Sequence, residues 1–153
     1  MAKFIYKMES ILNIKYKMEE QAKTAYGNAR LRLTLEEEKL ESYRQQMFQY
    51  QNEIREVMVS SLKLIEIKRL ENAVETMKFF IKQQQLVVKR AEQQLEAARI
   101  RLRAAMMERK THEKLKEKAF ENFKLEYEAE ERKEVDELVS FKYNNPTDSL
   151  EEV

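Results

Sequence analysis

The chain has 153 residues, 37% of them charged, with one Gly, one Pro and no Cys. Turns recruit Gly, Pro, Asn and Asp, so a chain this poor in Gly and Pro has few sharp reversals, and compact folds of many short elements are excluded. Without Cys there are no disulfides and no thiolate metal sites, and the net charge of +1 gives no uniform field to draw one class of partner. Hydrophobic residues at 42% are too many for a disordered tail. Heavy use of Glu, Lys, Arg, Gln, Leu and Ala points instead to long helices with a thin apolar stripe.

The near-neutral total conceals a gradient. Lys and Arg number 10 against 9 Asp and Glu over residues 1–60, 15 against 8 over 61–120, and 4 against 11 over 121–153. A basic middle is followed by an acidic end. The ordinary reading is a solvated helix surface with charge blocks, and the functional one is steering toward partners of opposite sign.

The opening, Met1-Ala2-Lys3-Phe4-Ile5-Tyr6-Lys7, has no apolar run of signal-peptide length, and no stretch approaches the ~20 apolar residues of a membrane span. Neither secretion by the usual signal nor membrane insertion is expected. Helix one is predicted over about residues 3–59. Phe4, Met8, Ile11, Lys15, Met18, Ala22, Ala25 and Ala29 keep the alternating three- and four-residue steps of a coiled-coil seam, with Lys15 the exception. Leu33, Glu36, Leu40, Tyr43, Met47, Tyr50, Ile54, Val57, Ser61 and Leu64 form a second frame, apolar at all but Glu36 and Ser61 and one residue out of step with the first. A change of winding is therefore expected between Gly27 and Leu33.

Val57-Met58-Val59-Ser60-Ser61 is the expected reversal, at about 60–62, since β-branched residues and Ser are poor in helix interiors and Ser can cap a following helix. Helix two is predicted over about 62–141, with Leu70, Val74, Met77, Ile81, Gln84, Val88, Ala91, Leu95, Ala98, Leu102 and Ala105 on its seam, Gln84 alone being polar. Beyond Ala105 the frame loosens through His112, Leu115, Ala119, Phe123 and Tyr127. Asn144-Asn145-Pro146 should stop the helix, leaving 146–153 as a disordered acidic tail. Two seams of similar length predict one all-α domain over 1–145, a long antiparallel two-helix coiled coil. Helix one would run ~85 Å and helix two ~118 Å at the rise of an α-helix, so helix two should overhang with Phe120, Phe123 and Tyr127.

The chemistry-bearing residues are few. His112 is the sole His and has no Cys or His to share a zinc ion with. Glu36-Glu37-Glu38 and the carboxylates of 128–131 read as solvated faces, because two helices offer no pocket to desolvate them. One Gly cannot build a phosphate-cradling loop. No catalytic residue, metal or cofactor is expected. Residues 78–118 hold 12 Lys and Arg against 5 Glu, yet lack the dense basic run and base-reading constellation of a zipper protein, so nucleic acid is not an expected partner. The eight Met residues serve chiefly as core filling.

Three stretches carry a family resemblance: Phe4-Ile5-Tyr6-Lys7-Met8-Glu9-Ser10-Ile11-Leu12, Tyr50-Gln51-Asn52-Glu53-x-Arg55, and Phe120-x-x-Phe123 followed by Lys133-x-Val135-Asp136-Glu137-Leu138. In order and spacing, over roughly residues 3–140, they resemble the flagellar export protein FliJ family. The resemblance implies a cytoplasmic antiparallel coiled coil, similar to the gamma-subunit stalk of ATP synthase, in the flagellar type III export apparatus. It implies three partners: the export ATPase FliI, whose ring takes the terminal end; the export gate FlhA, with peripheral membrane association at the inner face through it; and empty export chaperones. It implies no ATPase site on the chain. Gate contact near the reversal carries over to Met47, Tyr50 and Ile54, where Tyr50 agrees and the others are apolar replacements. On helix two it carries over to Ala73, Met77, Phe80 and Gln84, where the family's aromatic, small and His-like choices are not kept; seam packing explains Met77 and Gln84 equally well. A structural scaffold, or the equivalent stalk of a virulence-type secretion system, has the same composition.

Overall fold

The computed structural model describes residues 3–60 and 63–144. Two helices account for nearly all of them, α1 (Glu9–Ser60) and α2 (Leu64–Asn144). The expected reversal is bracketed by their ends, and Ser61 and Leu62, like the expected tail 146–153, lie outside the described residues.

The helix starts differ from expectation. Residues 3–8 do not join α1: the Glu9 amide closes a turn on the Tyr6 carbonyl at 3.3 Å, and the Leu12 amide bonds the Met8 carbonyl at 3.1 Å. Packing explains it, since Phe4 leaves the helical path to meet two rings of α2. At the other end the Ser60 hydroxyl turns back to the Glu56 carbonyl at 2.8 Å, a bond that suits the last turn of α1. The first turn of α2 opens from the Lys63 carbonyl, which accepts from Ile67 at 3.1 Å. Glu9 and Glu66 stand in the two first turns, where a carboxylate favours the positive end of the helix dipole.

The described residues fall into two compact units, those within 1–17 and 107–153, and those within 18–106. In the second, α1 and α2 run antiparallel: Gln84 meets Glu36, and Tyr43 meets Phe80 with ring centroids 5.7 Å apart. Leu40, Ile67, Leu70, Val74, Val88, Ala91 and Ala98 are its buried apolar residues. Leu33 through Val57 and Leu70 through Ala105 follow the expected steps with every seam position buried or half-buried, whereas Leu64, expected to extend the first seam, opens α2 and is exposed, and Ser61 lies outside the described residues. A two-helix pair cannot enclose more than such a strip.

The expected frame change near Gly27 does not occur. Half-buried Ala22, Tyr26 and Ala29 carry the Leu33 frame upstream without a slip, and beside them Glu19 is buried at 5% exposure. Met18 and Ala25, expected on the seam, are exposed. The periodicity of burial belongs to the helix and its partner, so a Glu can hold a seam position while an apolar neighbour points out; Glu19 is 3.5 Å from the Lys23 ammonium. Gly27 has a helical backbone and faces open space, and nothing there asks for a soft point.

The terminal unit is antiparallel as well, with Glu9 paired to Lys116 and Lys15 to Glu108. Leu12, 2% exposed, is its centre, whereas Met8 and Ile11 are exposed. The α2 seam keeps its steps here through Arg109, His112, Lys116, Ala119 and Phe123. Leu115, expected inside, is exposed, and Lys116 takes the place. The aliphatic stem of Lys can cover apolar surface while its ammonium reaches Glu9.

Candidate protein-interaction site

Near the reversal α1 presents Met47, Tyr50 and Ile54, each half-buried, on one stripe. Their spacing of three and four residues forces this alignment. On α2, Ala73 and Met77 are half-buried, and Phe80 is 41% exposed with its ring tilted 30° to that of Tyr43. A half-exposed aromatic held by a second ring is rigid and keeps apolar surface for a partner. Met58, Val59, Leu64 and Ile65, flanking the reversal, are also exposed.

Gln84 stands apart from the other six. It is buried, and its amide donates to the Glu36 backbone carbonyl at 3.0 Å and to the Glu36 carboxylate. Its polar atoms are thus engaged within the chain, as packing in the seam requires. Glu36 and Gln84 are polar positions on the two seams, and they lie symmetrically about Ser60. That symmetry was a sequence signal for their pairing.

The terminal unit offers a different chemistry. Phe4 contacts Phe120 edge-on at 5.2 Å and Phe123 at 5.4 Å, and Phe123 stacks on Tyr127 at 6.4 Å. Around them run ionic contacts: Lys15 to Glu108 at 2.9 Å, Lys116 to Glu9 at 2.9 Å and Arg109 to Glu113 at 3.0 Å. The Tyr16 hydroxyl donates to Glu113, which raises the Tyr16 pKa above its ordinary value, because the phenolate would lose that bond. The hydrogen bond and charge of Lys15 lower the Glu108 pKa. An open groove of about 570 Å³ is lined by Phe4, Glu9, Tyr16, Lys116, Glu117 and Phe120 among others.

Among the described residues no group of three or more His, Asp or Glu could hold a metal ion. Among them, too, no helix is long and apolar enough to cross a membrane. The described residues form two long helices paired antiparallel, an all-α coiled-coil hairpin fold.

The model of the flagellar FliJ protein family matches residues 4–147, and the chain belongs to that family. It is thus a flagellar, type III export-associated coiled-coil protein. Among solved structures it is similar to CT670 from Chlamydia trachomatis, described as a YscO homolog, with a TM-score of 0.66 at 20% identity, covering 95% of this chain and 99% of that one. That likeness is one of fold. No curated protein matches the sequence significantly.

Proposed function

We propose that this chain is the stalk that couples the flagellar export ATPase ring to the export gate. The family match across residues 4–147 carries the reading. The terminal unit, with its aromatic cluster and ionic seam, enters the ring of the ATPase FliI. The stripe Met47, Tyr50 and Ile54, together with Ala73, Met77 and Phe80, docks the gate FlhA, while Gln84 keeps the register beneath it. Empty export chaperones are further partners. The chain works in the cytoplasm, held peripherally at the inner face of the membrane through the gate, and hydrolyses no nucleotide itself.

Exposure of Phe80, Met58, Val59, Leu64 and Ile65 supports a contact surface near the reversal, because clustered apolar side chains in water mark interaction sites. Mixing the purified chain with the cognate ATPase tests the first half. Stimulated hydrolysis is expected, with none by the chain alone; turnover of ATP by the chain alone would refute the reading. For the second half, Tyr50→Ala should lower affinity for the gate's soluble domain while barely moving the melting temperature. A large loss of stability with unchanged affinity would make Tyr50 a packing residue only.

A further inference from the structure

The seam of α2 that faces α1 is not its sole periodic stripe. On the opposite side of the helix, every seventh residue from Phe79 reads Phe79, Leu86, Gln93, Ile100, and the intervening positions at Ala97 and Ala104 are small and apolar. All six are exposed, with Phe79 at 59%, Leu86 at 52% and Ile100 at 58%. Gln83 and Arg90 complete the alternation of four- and three-residue steps. The outer stripe of α1 in the same frame has two exposed apolar residues, Leu31 and Leu35, and is polar beyond them through Glu38, Ser42, Gln45 and Gln49. A solvated helix back needs no heptad of large apolar side chains, and a helix with two seams is one that packs on two neighbours.

The residues beside this stripe say what the neighbour is. At the flanking positions of the heptad stand Lys82, Lys89, Arg101 and Arg103 against one carboxylate, Glu96, which is already paired with Arg99 at 2.6 Å. Flanking charges select coiled-coil partners by sign. The same stripe of a second copy would set these cations against themselves, and a basic or neutral helix would leave them without complement.

We infer that the outer face of α2 between Phe79 and Ala104 is a docking seam for an acidic amphipathic helix of another protein, carrying Leu or Ile at its core positions and Glu beside them. The seam spans about 38 Å at the rise of an α-helix, so a partner helix of roughly seven turns would cover it. This assignment stands independently of the ATPase and gate reading.

The test uses the full chain and a synthetic peptide of four heptads with Ile and Leu at the core positions and Glu at the flanking ones. Its counterpart with Lys flanks is the control. Calorimetric titration should show the Glu peptide binding at least about tenfold tighter than the Lys peptide, as expected where flanking charges set partner choice. Leu86→Ser/Ile100→Ser, both exposed sites, should abolish binding with helical content unchanged by circular dichroism. Lys82→Glu/Lys89→Glu should reverse the preference toward the Lys peptide, a second reading that does not depend on the apolar variant. Equal binding of both peptides, or undiminished binding by the Ser variant, would overturn the assignment. So would concentration-dependent dimerisation in sedimentation that the Ser variant loses, since the stripe would then belong to a second copy.

Discussion

The unit of residues 18–106 and the terminal unit share one helical pairing and one periodicity but are held by different forces. In the first, Leu40, Leu70, Val74, Val88 and Ala98 interlock along an apolar strip crossed by the Glu36–Gln84 layer. In the second, the seam positions of α2 are Arg109, His112 and Lys116 before Ala119 and Phe123, with Phe120 beside them meeting Phe4. Burial of apolar area neither titrates nor is screened by salt, whereas exposed ion pairs titrate and are screened. The terminal unit should therefore respond to its surroundings and open first; the other should behave as the permanent clamp.

The sharpest way to break this comparison is at the clamp. Leu70 is 4% exposed, and Leu70→Ala should cost about 2–5 kcal/mol in chemical denaturation, as Leu truncations in cores do. A loss below about 1 kcal/mol would mean that the apolar strip is not what holds this unit. Next in size is the polar layer. Gln84→Ala leaves the Glu36 carboxylate without its donor, at a cost of about 1–3 kcal/mol for a stranded polar group. The double replacement Glu36→Leu/Gln84→Leu should recover most of that stability yet loosen the register, because a polar layer in a seam penalises slipped pairings. Spin labels at Met18 and Leu102 would read this as a broadened distance distribution.

Smaller effects belong to the terminal unit. Lys116→Ala removes the pair with Glu9, both partners more than a third exposed, and should cost about 0–1 kcal/mol, as surface pairs do. One molar salt should shrink the difference between wild type and variant to nothing. If the loss survives high salt, the Lys116 stem and not its charge carries the contact. Smallest of all is the titration of Glu108. Its folded pKa is held below the ordinary 4.5 by Lys15, so its contribution is present above pH 4.5 and fades as the pH falls through the folded value. Protection of the amides in residues 107–116, taken relative to the intrinsic exchange rate at each pH, should fall over that range before that of residues 67–98. A simultaneous fall would merge the two units into one cooperative block.

Much of this was legible in one dimension. Composition, the scarcity of Gly and Pro, and two series of three- and four-residue steps were enough for two long helices paired antiparallel, because helix periodicity and turn chemistry are local properties of the chain. Helix α2 runs to Asn144, past the expected end at about 141, and the expected stop at Asn145-Pro146 lies outside the described residues. The seam residues from Leu33 to Val57 and from Leu70 to Ala105 followed from apolar spacing alone.

Where spacing and pairing disagreed, the pairing decided. Glu19 and Lys116 hold seam positions, while Met18 and Leu115, more apolar and one residue away, face water. A sequence pattern ranks side chains by hydrophobicity, but the helix surface that meets a partner is set by the register of both helices together. A charged residue is tolerated there when its stem covers the apolar strip and its head finds an opposite charge. The departure of residues 3–8 from α1 has the same origin, since the attraction among Phe4, Phe120 and Phe123 is between residues more than a hundred positions apart. The sequence by itself thus determined the helices and most of their inward faces, and only tertiary packing decided which of two adjacent residues would be buried.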